Sequence, residues 1–162
     1  MSANPYAPPA AEVADVVQGE ATPALWNPNA AANWSLLFSP IFGALLHMKN
    51  WQALGEPEKA DSAKRWAITV LVVFVVLALL GGLLPNEKAI DAVSRVIPIA
   101  LLFGWYAASA RHQTAYVKAR FGQSYRRRGW LKPLLFAVLG MVGFVVALGL
   151  VGVLLGLLFS RA

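Results

Sequence analysis

Few residues in this chain could do chemistry. Cysteine is absent, which removes a thiol nucleophile, a disulfide and a zinc–thiolate site. The two histidines, His47 and His112, stand 65 residues apart with no acidic cluster beside either, whereas a metal centre needs three or four converging ligands. Ser35, Ser39, Ser94 and Ser109 sit in no Gly-x-Ser-x-Gly elbow, and no Gly-x-x-x-x-Gly-Lys phosphate cradle occurs. An enzyme working inside a bilayer needs polar groups in its spans, and the apolar runs 66–84 and 133–159 offer only Thr69. The expectation is a protein that is not an enzyme, with no catalytic residue, no cofactor and no metal.

Two other constellations could carry function. Asp91 and Arg95 are four residues apart and share a helix face near the start of an apolar stretch. A charge kept inside a bilayer marks a substrate or gating site. At a boundary the same pair neutralises itself, and its position favours that second use. The last apolar run carries small residues: Gly140, Gly143, Ala147, Gly149, Gly152, Gly156 and Ser160. Gly143/Ala147, Gly152/Gly156 and Gly156/Ser160 are small-xxx-small pairs, which let backbones approach where lipid removes the hydrophobic drive. Gly143, Ala147, Gly149, Gly152, Gly156 and Ser160 are therefore the expected helix-packing or partner face. Two uses stay open for it: internal packing against Gly81-Gly82, or docking of another protein or a second copy.

The elements that would position these residues follow from composition. Of 162 residues, 58% are hydrophobic and 14% charged, against about 45–50% and about 25% in a soluble domain. The apolar excess is blocked into runs, as in an all-α integral membrane protein. Residues 1–33 hold five of the ten prolines and no repeating apolar face, so they read as a disordered, acidic Pro/Ala-rich arm. They lack the basic start and early apolar core of a signal peptide. Residues 34–54 open with an apolar run, 34–48, that is short of the about 20 residues a span requires. Trp34 and Trp51 bracket it like belt aromatics, so it should lie at the interface or re-enter. A helix over 57–84 should start at Pro57 and carry the first span, 66–84. Residues 89–110 form the second span, which Pro98 should kink unless it sits in the first apolar turn. Residues 133–159 form the third, long enough to tilt.

The net charge is +6, but residues 1–33 hold Glu12, Asp15 and Glu20 and no base. Arg111, Lys118, Arg120, Arg126, Arg127, Arg128 and Lys132 lie together in an acid-free stretch, 111–132. A pI near 10 can indicate nucleic acid. Between two apolar runs, however, such a stretch reads as a cytoplasmic loop, oriented by the positive-inside rule and facing anionic headgroups. Its first half, to Phe121, should be helical, with too weak a stripe for a surface-lying helix. No nucleic-acid partner is expected, and membrane lipids are. Lys49, Lys59, Lys64 and Arg65 precede the first span, while Lys88 and Arg95 are balanced by Glu87 and Asp91. The resulting topology is multi-pass, with the N-terminus cytoplasmic and the C-terminus on the far side of the membrane.

Asn27-Pro28-Asn29, Asn33-Trp34-Ser35-Leu36-Leu37-Phe38-Ser39-Pro40-Ile41-Phe42-Gly43, Asn50-Trp51 and Leu54-Gly55 resemble the opening of small uncharacterised bacterial inner-membrane proteins. In those, a Trp- and Phe-rich Pro-x-Phe-Gly segment precedes two or three spans. In size and layout the whole chain is also similar to multi-span immunity proteins encoded beside toxins that depolarise the inner membrane. The resemblance implies a non-enzymatic protein that binds another protein in the membrane, in its concrete form a secreted pore-forming toxin that it neutralises. The alternatives are an accessory subunit of a membrane transporter or channel, with Asp91 and Arg95 at its polar site, and an envelope-assembly factor. Self-association is a further expected use of the glycine face.

Overall fold

The computed structural model describes residues 22–84 and 88–159. Most of the N-terminal arm, residues 85–87 and Ser160 lie outside the described residues. Three helices are long and apolar enough to cross a bilayer: Pro57–Leu83, Lys88–Phe121 and Leu131–Leu154. Their feet meet in a polar platform built from short elements.

The platform begins earlier in the chain than an arm ending at residue 33 allows. Strand β1 (Ala24–Leu25) pairs in parallel with β2 (Arg126–Arg127). Leu25 is buried with Val117 and Tyr125. Helix α1 (Pro28–Phe38) then starts on Asn27, whose side chain accepts from the amides of Asn29 and Ala30 at 3.0 and 3.2 Å. As a sequence, Asn27-Pro28 predicts a break. In the fold Pro28 sits in a first turn, where its missing N–H is no loss.

Residues 34–54 resolve into the rest of α1 and helix α2 (Pro40–Ala53). Ser39 separates them with φ 103°. Pro40 bars its predecessor from the helical region, and the Ser39 amide still donates to Ser35 O at 3.0 Å. At 1.5 Å per residue the two helices reach about 16 and 21 Å, short of the about 30 Å hydrocarbon core. Helix α2 turns back through Gly55 (φ 71°) into α3 (Pro57–Leu83). Ile41, near the start of α2, packs beside Trp66 and Leu102 of the long helices. The α1–α2 elbow is thus a wedge whose tip lies among the spans while its open end joins the platform. Leu36 and Leu37 at the tip are 71% and 67% exposed, an apolar surface unsuited to water.

The second long helix does not end at residue 110. Helix α4 (Lys88–Trp105) continues through Pro98 and one π turn (Tyr106–Ala110) into α5 (Arg111–Phe121). The buried side chains are Trp105, Ala110, Gln113 and Val117. Their spacing is five, three and four. The five-residue step is the extra residue of the π turn, which carries Trp105 onto the side that Gln113 faces. The first half of the basic stretch is helix to Phe121, as its sequence predicts, and it ends where the Gly122 amide donates to Lys118 O at 3.0 Å.

Helix α6 (Leu131–Phe159) leaves the platform beside α1, where the Trp34 and Trp130 rings meet at a tilt of 44°, 6.5 Å apart. Among its described side chains only Pro133 is buried.

Gly43 is the closest approach in the platform. A Cβ there would overlap Ser35 Oγ and the ring of fully buried Trp105, with no slack for either. Gly81 has open space around it. Gly43→Ala should lower stability by about 1–3 kcal/mol, outweighing alanine's helix preference. Gly81→Ala should be neutral or raise it by up to about 1 kcal/mol. Thermal unfolding of the detergent-solubilised chain checks both, and equal melting temperatures would remove Gly43 as a packing constraint.

Candidate functional site

The buried face of α2 repeats at helical spacing: Gly43, His47, Asn50 and Trp51, with Ala44 beside them. Two of these are polar, and both hold neighbouring chain. Asn50 Oδ1 accepts from the Trp26 amide at 3.0 Å, and Asn50 Nδ2 donates to Trp26 O at 2.8 Å and to Gln113 Oε1 at 3.2 Å. Gln113 Nε2 donates to His47 O at 2.8 Å. One carboxamide therefore makes a strand-like pair with Trp26 and also holds α5. The Trp26 indole donates to Gly129 O at 3.0 Å and carries the Arg128 guanidinium 4.7 Å above its ring.

His47 Nε2 lies 3.1 Å from Pro28 O. A carbonyl can only accept, so Nε2 carries the proton. Nδ1 and the nearby Trp105 Nε1 have no partner among the described residues, and the two rings sit 5.4 Å apart. Burial pushes the imidazole down to about 4, more than the Pro28 carbonyl raises it. Protonation would place an unpaired N–H against an indole in apolar surroundings.

A second cluster closes the foot of α3. The Tyr116 hydroxyl donates to Glu56 Oε1 at 2.9 Å, Arg120 donates to the Tyr116 oxygen at 2.7 Å, and Lys59 pairs with Glu56 Oε2 at 3.1 Å. Lys59 also lies over the Trp51 and Tyr116 rings at 4.9 and 4.6 Å. The Tyr116 hydroxyl, followed by Lys59, holds the Glu56 carboxyl below its usual range. Apart from His47 Nδ1 and Trp105 Nε1, the polar groups of both clusters pair with one another or with backbone. Among the described residues no group of three His, Cys, Asp or Glu converges on a metal position.

A concavity lies elsewhere. An apolar groove of about 920 Å³ runs between the wedge and α6 and is floored by α3 and α4. Phe42, Leu71, Ile99, Phe136 and Phe144 are among its walls, and Lys49 and Lys132 are its charged lining residues.

The residues singled out from sequence are dispersed. Asp91 and Arg95 are both exposed on α4, and no ion pair joins them among the described residues. Arg111, Lys118, Arg120, Arg126, Arg127, Arg128 and Lys132 lie at the platform end, and all seven are exposed. Arg120, Arg127 and Arg128 have local partners in Tyr116, Gln123 and Trp26. The small-residue set is not one face. At 3.6 residues per turn, Gly143 and Gly152 are two and a half turns apart and point oppositely. Gly143 and Ala147 lie along one side, and Gly149, Gly152 and Gly156 along the other. No atom lies within 4 Å of a Cβ at any of these four glycines, nor at Gly81 or Gly82. Internal packing against Gly81-Gly82 is therefore not what the structure shows.

Trp26, His47, Asn50, Gln113 and Glu56 do not stand out in the sequence. A signal exists in His47 and Asn50, three apart on an otherwise apolar helix face, but the partners of Asn50 lie 24 and 63 residues away. No protein-family model, curated protein or solved structure matches this chain.

His47 makes stability depend on pH with a definite sign. Its folded value of about 4 lies below the ordinary 6.5. The unfolded chain therefore takes a proton that the fold refuses. Stability is complete above pH 6.5 and declines as pH falls from 6.5 toward 4. Unfolding midpoints measured across that window should fall in the wild type and flatten in His47→Gln. An equal slope in both would contradict the buried neutral imidazole.

Proposed function

We propose that this chain is a multi-pass membrane protein that binds another protein through its third span and catalyses nothing. The observation that carries the reading is the state of α6. The helix has 29 residues and is anchored at its foot. Its Gly149, Gly152 and Gly156 side meets nothing within 4 Å. In a bilayer a glycine-lined face left open by its own chain is suited to a close helix–helix contact in trans. In both polar clusters the side chains tie chain segments together, a structural use that agrees with the non-catalytic part. The basic end of the molecule supports placing the platform and N-terminus in the cytoplasm, with the end of α6 on the periplasmic side of the inner membrane. In its concrete form the reading is immunity, with a pore-forming toxin as the partner whose conduction is blocked.

Crosslinking in native membranes followed by pull-down tests this. Wild type should bring down one dominant membrane-inserted partner. Gly152→Ile should reduce it about tenfold or more while Gly143→Ile, on the opposite side, leaves it. A secreted toxin as that partner supports immunity. A second copy supports self-association through the same face and sinks the immunity form. Unchanged capture by Gly152→Ile overturns the binding face.

A further inference from the structure

We propose that the groove between the α1–α2 wedge and α6 holds one anionic glycerophospholipid, its phosphate between Lys49 and Lys132 and its chains along Phe42, Leu71, Phe136 and Phe144. This rests on the membrane part of the proposed function and is independent of the protein partner.

Charge complementarity selects the headgroup. The charged side chains lining the groove are two lysines and no acid. Neither lysine has an ion pair among the described residues, where Lys59 with Glu56 is the pair present. Both lie at the platform end of their helices: Lys49 is near the last turn of α2, and Lys132 is in the first turn of α6. The rest of the lining is overwhelmingly apolar.

Length selects the chains. From Lys132 to Phe144 the α6 wall rises by about 18 Å at 1.5 Å per residue. One leaflet contributes about half of a 30 Å hydrocarbon core. Lysines at the platform end and Phe144 about 18 Å further along α6 thus match one lipid standing in one leaflet, with its phosphate at headgroup depth. A volume of about 920 Å³ sits at the upper end of ligand pockets, which run about 300–1,000 Å³. The groove also accounts for a helix that stands off from α3 and α4. Acyl chains would supply the apolar contacts along this side that the protein does not make for itself.

The full chain is reconstituted into phosphatidylcholine vesicles, its flotation is recorded, and it is then extracted in detergent. Native mass spectrometry follows its titration with phosphatidylglycerol, phosphatidylcholine or inorganic phosphate. One phosphatidylglycerol should bind at least about tenfold more tightly than phosphatidylcholine, and inorganic phosphate should not displace it. Lys49→Ala with Lys132→Ala should lose about tenfold or more of that affinity. Arg111→Ala with Lys118→Ala, basic but outside the groove, should change it by no more than about twofold. Gly140→Trp, which fills the groove without altering charge, should also abolish the single tight site. Unchanged melting temperature in each variant separates lost binding from lost fold. Equal affinity for both lipids, equal loss in the two charge variants, or retention in Gly140→Trp overturns the proposal. A chain that fails to float with vesicles overturns the membrane reading instead.

Discussion

The Asn50 carboxamide joins three stretches of chain that are remote in sequence. It pairs with both backbone groups of Trp26 and with Gln113 of the long second helix. Through Gln113 the network returns to the His47 carbonyl of its own helix. Each of these groups is largely shut off from water, and a buried polar group without a partner costs about 1–3 kcal/mol. Networks of this kind act as units, because removing one member strands the others. The ordering of residues 24–33, the seating of α1 and the attachment of α5 to α2 all depend on it.

The molecule consequently has two regimes. At the platform, side chains are paired and specific: Gly43 under Trp105, Tyr116 on Glu56, Trp26 on Gly129. Beyond it, the long helices present apolar surface and few mutual contacts. Helix α6 is the extreme case, fixed at Trp130 and then exposed along its length. A fold arranged this way holds its basic end rigid and leaves its apolar faces for lipid or for another chain.

The three long apolar helices are legible in the sequence because uninterrupted apolar runs have few other solutions. The wedge and the platform are not, and the reasons are specific. Asn27-Pro28 and Ser39-Pro40 look alike as local breakers, yet one starts a helix and the other bends two helices into an elbow. The stripe on α5 is hidden because the π turn shifts its register: Trp105 and Gln113 share a side only with one extra residue between them. Trp26 and Asn50 recognise each other across 24 residues, a relation no local pattern encodes. The small residues of α6 are legible as small, but their grouping into one face fails on helical geometry, and their lack of internal partners is visible only in three dimensions.

Binding through α6 requires that the helix keep its Gly149–Gly152–Gly156 side open rather than packed on α3. Because the chain has no cysteine, Gly81→Cys combined with Gly152→Cys gives a clean pair at similar depth in the two helices. Oxidative crosslinking in bilayers, read as a mobility shift of the single chain, is the most direct test. No intramolecular disulfide should form between them, since two packed helices approach to about 8–10 Å and these do not form such a seam. Rapid and complete intramolecular crosslinking would contradict the open face and return the glycines to internal packing.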